Sequence, residues 1–509
     1  MRKPGIWRLW LPLVAAISLV LIVGITAWGN DDAIRVRSRL GNHIDNMDPA
    51  HYVGGEEYNI DLAIHAKLYR YKPGSQELVL DAAESVEISE DSTKISFVLK
   101  QGIQFHEGYG ELTAEDVKFS FERHLDPRES SEYKDDWQTL CRVDITGKYT
   151  GDIILTQPYA PLFVSTIPYT SGSIISKAAF EDLGDKFATH PIGAGPYRWA
   201  EWIPEEKIVL ERFDDYFGEL PDIKTIVILP IKDDKAAELA FDSGELDETL
   251  VSLEEIGRYR DDPNVNVALV NNLRYHWVGF NMQHPPFDDI RVREAVRYVV
   301  DVDEVLQGAF DGVAPRANAM LAPGILGYWE NAPQHQPDID EAKSLLAAAG
   351  YPDGFEIELS AASDPRSSLV VQIVQQQLAQ VGIKATIKIV EGSLYNYVGK
   401  EDHPGMHYYS YSAIPDPGYW FEWFTCDQVG KWNVWKWCNA EYDQIKDKAG
   451  LIMDREERAQ LYIKLQQMMD EDITCVWLTN GASPHVYRDN IKPVYLTMFS
   501  QYHYWEEAE

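Results

Sequence analysis

HPIGAGPYRWAEWIPEEKIVLERFDDYFGELPDIKTIVILPIKDDKAAELAFDSGELD, residues 190–247, predicts two strands, a turn, a third strand and a helix. Gly193, Gly195 and Pro196 make a bend in which glycine can take positive φ and proline fixes its own, so the chain reverses before Tyr197 and Trp199. KIVLER (207–212) and IKTIVILPI (223–231) are rich in β-branched residues, and the second is almost continuously apolar, as for a strand covered on both faces. Ala236, Ala237, Leu239, Ala240 and Phe241 then recur at helical spacing and stop at Ser243-Gly244. The stretch is an α/β module.

Upstream, IRVRSRL (34–40) alternates like a short strand, and the loop after it is rich in turn formers. EEYNIDLAIHAKLYRY (56–71) has helical spacing at Ile60, Ala63, Ile64 and Leu68. A hairpin follows, SVEISE and KISFVLK around Asp91-Ser92. Thr113 with Asp116 three residues on is a capping-box-like start for a helix carrying Val117, Phe121 and Leu125 on one face. His106, alone at a strand-to-loop corner, reads as a structural group.

Downstream, RYHWVGFN predicts a strand, and IRVREAVRYVV an amphipathic helix begun at Asp288 and Asp289. EAKSLLAAAGYPDGFEIELS and SLVVQIVQQQLAQVGIKATIKIV each give helix, glycine stop and strand, the repeating unit of an open α/β domain. LYIKLQQMMDED is a late helix.

The 509 residues exceed what one core supports, so several domains are expected. Hydrophobic content of 45% suits a packed globular chain. A formal net charge of −35 disfavours non-specific nucleic-acid binding and adhesion to anionic lipid; it reads as a solubility device or, through the protein's field, as favouring cationic ligands. Arg2, Lys3 and Arg8 precede an apolar run over 9–28, which marks an export segment. Two fates stay open: a signal cleaved before Asn30, or a retained anchor on the outer face of the inner membrane. No cysteine precedes Cys141, so an N-terminal lipoprotein anchor is not expected. Cys426 and Cys438 are the natural disulfide pair, while Cys141 and Cys475 remain as buried thiols or a second pair.

Three stretches carry a family resemblance. The first is Pro191, Gly193, Gly195, Pro196 and Tyr197, then Asp215, Tyr216, Gly218, Pro221, Ile223, Ser243, Gly244, Glu245 and Asp247. The others are GIQFHEGYGELTAEDVKFSFER and the run from the RYHWVGFN strand through Pro323-Gly324. Together they resemble the extracellular solute-binding proteins of ABC importers, of the peptide/nickel type (family 5). The resemblance implies a two-lobed periplasmic-binding-protein fold, type II and cluster C-like, with an extra domain in the first lobe. Its landmarks imply a signal or anchor over 1–29, first-lobe segments 33–60, 190–270 and 482–509, the extra domain over 61–189, and the second lobe over 271–481. The chain would cross between lobes near 270–275 and 478–484.

The implied function is capture of a peptide or peptide-like solute between the lobes and delivery to an ABC permease and its ATPase, by a monomer in the periplasm. No cofactor, metal site or nucleic-acid partner is implied. Aromatic density points to MHYYSYSAIPDPGYWFEWFTC (406–426), with Tyr409, Tyr411 and Trp420 as cleft candidates. Position in the family pattern adds Asn46, Tyr52, Tyr275, Trp277, Asn281, Tyr395 and Tyr397. Peptide-binding members place an aspartate for the ligand's ammonium three residues before an acidic-Pro pair. Here that pair is Asp416-Pro417 and the position holds Ala413, which leaves Asp416 as the candidate replacement. Alternatives are an oligosaccharide carrier, a metal-chelate carrier of the nickel type, or a membrane-tethered solute sensor. An enzyme is not expected, since no G-x-S-x-G, H-E-x-x-H or P-loop is present.

Overall fold

The bend at Gly193 and Gly195 locks onto the end of a helix more than a hundred residues earlier. In the computed structural model, which describes residues 33–37, 44, 46–52, 55–169, 171–400, 403–412, 414–497 and 499–508, the Gly195 N–H donates to the Ile64 carbonyl at 2.7 Å. The helix therefore runs over Gly55–Ile64 and stops there, shorter than its periodicity predicts. Tyr69–Tyr71, expected as helix, instead pairs antiparallel with Leu78–Leu80. Neither glycine has positive φ, contrary to expectation. Glycine is required here because a Cβ on Gly193 would lie 2.1 Å from the Ile64 carbonyl oxygen, and one on Gly195 2.6 Å from that of Ala63. Gly195→Ala is accordingly expected to cost about 3 kcal/mol in urea unfolding. A cost below about 1 kcal/mol would show that the two backbones can part freely.

Three sheets organise the described chain. The seven-stranded sheet has the order Val265–Asn271, Ala482–Arg488, Glu248–Leu250, Ala33–Arg37, Thr225–Leu229, Lys207–Arg212 and Tyr197–Ile203. Ala33–Arg37 pairs parallel with both its neighbours. Thr225–Leu229, the apolar strand of the decisive stretch, is buried over its last four residues. One face packs Ile226, Ile228, Tyr197 and Ile60; the other packs Val227, Leu229 and Phe241 from the helix Asp234–Asp242.

The five-stranded sheet runs Lys384–Val390, Glu356–Ala362, Met406–Ser412, Arg274–Phe280 and Cys475–Thr479. Helices Ile290–Val299, Val302–Ala309, Ile339–Ala348 and Pro365–Ala379 supply the aliphatic core on one face. Pro417–Glu422, Ala440–Leu451 and Arg455–Glu471 supply a core dominated by aromatic rings on the other. The chain passes between these two sheets at 272–273 and returns at 480–481.

A four-stranded antiparallel sheet, Ala83–Ile88, Lys94–Leu99, Thr150–Leu155 and Leu140–Gly147, forms the extra domain with the helix Ala114–Glu122. That helix begins as predicted, with Asp116 accepting from the Thr113 N–H and hydroxyl, both at 2.9 Å. Arg123 at its end grips Asp48 in a two-pronged pair, both distances 2.7 Å, and so ties the extra domain to the first-lobe loop. His106 is buried and its Nε2 sits 3.0 Å from the Gly195 carbonyl, a structural role.

Cys426 and Cys438 are bonded to each other. Cys141 and Cys475 are unpaired, and Cys141 is exposed. The expectation that these two are buried thiols or a pair fails at Cys141, whose side chain leaves an edge strand toward solvent. The export segment over 1–29 lies outside the described residues, and so does Ala413. Among the described residues no helix is long and apolar enough to cross a membrane.

Candidate ligand cavity between the lobes

A cavity of about 590 Å³ opens where the first lobe, the extra domain and the second lobe meet. Tyr58 comes from the helix Gly55–Ile64; Tyr133, Asp136 and Tyr159 come from the extra domain; Asp416, Tyr419 and Glu422 come from the second lobe. The volume falls within the roughly 300–1,000 Å³ typical of small-molecule sites.

Hydroxyl bonding fixes the tyrosine side of the wall. Tyr133 donates to the Tyr52 carbonyl at 2.7 Å, so its oxygen is left to accept from the Tyr58 hydroxyl at 2.8 Å. Tyr52 packs edge-on against Tyr58, with ring centroids 5.3 Å apart. On the opposite wall, Asp416 caps the helix Pro417–Glu422 by accepting from the Gly418 N–H at 2.7 Å. The Asp416 carboxylate is also paired with Arg458 at 2.8 Å, and both side chains are almost wholly buried. Glu422 is paired with Lys446.

The charge balance on the wall is acidic. Glu132, Asp136, Asp416 and Glu422 stand against Lys446. Asp416 and Glu422 already hold internal cations. Asp136 holds none among the described residues; burial, then the neighbouring Asp135, pushes its carboxyl up to about 6.

Of the residues expected at a cleft, Asp416 lines this cavity. The others are placed as follows. Asn46 accepts from the Asp48 N–H at 2.8 Å and shapes the first-lobe loop. Tyr275, Trp277 and Trp420 are fully buried in the second-lobe aromatic core, where Tyr275 stacks on Trp420 at 4.9 Å. Asn281 donates to the His403 carbonyl, and Tyr397 to Glu358. Tyr411 donates to the Trp432 carbonyl, and Tyr409 rests against Trp277.

Tyr395 belongs to a different arrangement. From Tyr419 on the cavity wall, rings run on through Trp423 and Trp432 to Tyr395, with centroid spacings of 5.0, 4.8 and 4.2 Å. Tyr419 and Trp432 are each more than a third exposed, so this strip presents aromatic surface beyond the cavity mouth. Sequence reasoning missed Tyr58, Tyr133, Asp136 and Tyr159. The pair Asp135-Asp136 between Tyr133 and Trp137 was the available signal, an acidic step set among aromatics.

Two α/β lobes joined by paired crossings, with a cavity between them, are the architecture of a protein that takes up a ligand between its lobes. Residues 77–432 match the family described as "Bacterial extracellular solute-binding proteins, family 5 Middle", and the chain belongs to that family. It is 25% identical over 495 residues to the dipeptide-binding protein of Escherichia coli (strain K12), covering 90% of this chain and 92% of that one. Heme-binding protein A of Haemophilus influenzae is 25% identical over 453 residues, 82% of each chain. Among solved structures, HbpA2 from Haemophilus parasuis superposes with a TM-score of 0.85 at 22% identity, over 94% of this chain and 100% of that one. The periplasmic binding protein DppA from Helicobacter pylori, in complex with the peptide STSA, gives 0.72 at 27% identity, over 94% and 98%. The two-lobed periplasmic-binding-protein fold is thus the fold of this chain, and its function is solute binding for an ABC importer.

Proposed function

We propose that the protein captures a short peptide or peptide-like solute between its lobes and passes it to an ABC permease and its ATPase. The carrying observation is the inter-lobe cavity, with tyrosines on its walls and more carboxylates than cations. An acidic, partly desolvated site suits a ligand with a free ammonium, and the aromatic strip from Tyr419 to Tyr395 suits apolar side chains. The names of the dipeptide-binding relative and of the peptide-bound neighbour point the same way.

In this reading the protein acts as a monomer in the periplasm and releases its solute chemically unchanged. The domain bounds given from the family landmarks belong to the same reading. Residues 9–28 then serve as a signal or as a tether to the inner membrane.

Native mass spectrometry of the protein purified from its own periplasm, repeated after denaturation, tests these points together. Short peptides are expected among the released molecules. A single sugar, a metal chelate or heme would overturn the peptide reading and leave the receptor architecture intact. The same spectra report the N-terminus: a mass beginning at Asn30 excludes the tether, and a mass retaining 9–28 excludes cleavage.

A further inference from the structure

We propose that Asp136, on the extra domain, receives the cationic end of the solute, in place of a second-lobe aspartate. The inference rests on the peptide reading above and names the residue that would set its specificity.

Three observations converge on this side chain. It lines the inter-lobe cavity. Among the described residues it carries no ion-pair partner, whereas the two second-lobe carboxylates on the wall are held by Arg458 and Lys446. A ligand ammonium reaching Asp416 or Glu422 would have to displace a protein cation; at Asp136 it meets a vacant carboxylate.

Its backbone is also held in place. The Asp136 N–H donates to the Tyr133 carbonyl at 3.0 Å. On one side the Tyr133 hydroxyl is bonded to the Tyr52 carbonyl; on the other, Trp137 is fully buried, with its Nε1 donating to Ser171 Oγ at 2.7 Å. A carboxylate fixed on such a turn loses little freedom when it binds. Tyr419 of the second lobe lines the same cavity, and its hydroxyl is held above its ordinary value by burial and then by the Asp136 charge. Burial without a counter-charge raises the Asp136 carboxyl, and an ammonium delivered by the solute relieves that cost.

The test uses the full chain, unfolded and refolded to strip any co-purified solute. The probes are a defined set of alanine-, leucine- and phenylalanine-containing di- to pentapeptides, and the same set N-acetylated, with binding read by native mass spectrometry and calorimetry. Wild type is expected to prefer the free-amine set. Asp136→Asn should weaken free-amine binding by about 30-fold or more and leave the acetylated set unchanged. Glu84→Gln, at an exposed extra-domain carboxylate that does not line the cavity, should change either set less than about threefold. Equal losses in the two variants would reduce the effect to general field strength and overturn the anchor. Free-amine binding unchanged in Asp136→Asn would overturn it while the peptide function stands. A wild type that binds neither set would overturn the peptide reading itself, and the anchor with it.

Discussion

Arg458→Ala is expected to destabilise the second lobe by about 3–5 kcal/mol, because it leaves the Asp416 carboxylate buried without its cation. Arg458 and Asp416 are 1% and 2% exposed at their side chains, so water cannot replace the guanidinium cheaply. The Arg458 Nε is spent on the Ala449 carbonyl at 3.0 Å, which joins three helices at one residue. Urea unfolding followed by tryptophan fluorescence measures the loss. The double variant Asp416→Asn, Arg458→Met should recover most of it, since it removes both charges, retains bulk, and keeps an acceptor for the Gly418 N–H. The single variant should also weaken solute binding, because Tyr419 and Glu422 on the cavity wall ride on the helix that Asp416 caps. A loss under about 1 kcal/mol would mean that solvent reaches Asp416, and the claim that this carboxylate is already engaged would fall.

What the sequence made legible is what its determinants settle locally. The capping box at Thr113 and Asp116, the Ala83–Leu99 hairpin, and the helix Ile290–Val299 starting after Asp289 each depend on residues within one or two turns. The end of the first helix does not. Its periodicity continues past Ile64, and only the distant Gly193–Gly195 backbone, packed against that carbonyl, stops it. The aromatic stretch 406–426 misled for a related reason: dense aromatics mark a large apolar payload without saying which side of a sheet receives it. Trp420 and Tyr411 went into the core, while Tyr419 went to the cavity. The cavity was the least legible part, being assembled from three segments that meet only in the folded chain. Asp416 could be named from its motif, but its cation stands 42 residues further on, on another helix. Without that partner in view, an engaged carboxylate looks the same as a vacant one.

Acid should unfold this protein well before its carboxylates titrate in the unfolded chain. His106 is lowered to about 4, and His124, His276 and His407 to about 3, in every case chiefly because burial disfavours the imidazolium. His124 shows why the neutral ring is kept: it stacks on Trp137 at 5.1 Å and bonds both Ser131 and the Ser171 carbonyl. Unfolded histidines take protons near 6.5, so between about 6.5 and 4 the unfolded state binds protons that the folded state refuses. The stability these groups contribute is complete above 6.5 and is lost as the pH falls toward the folded values. Each histidine contributes a slope of about 1.4 kcal/mol per pH unit. Asp136 works in the opposite sense, because its raised carboxyl binds a proton below about 6 that the unfolded chain does not yet bind. Net charge of −35 also gives some relief from self-repulsion on acidification. The four histidines against Asp136 leave an expected loss of about 5 kcal/mol between pH 6.5 and 5, much of a domain's stability; His503, also lowered by burial, adds to it, and Asp247 and Asp443, raised by burial, oppose it. His106 and His124 sit on the extra-domain side with the opposing Asp136, while His276 and His407 lie on second-lobe strands, so of two separate melting transitions the second lobe's would carry the slope of about two protons and the extra domain's about one. Thermal unfolding across pH 7.5 to 4.5 measures this. His407→Leu, at a buried position whose Nε2 has no bonding partner among the described residues, should remove one proton from the second-lobe slope. A melting temperature that is flat or rising from pH 6.5 to 5 would show that these histidines gain protons without unfolding.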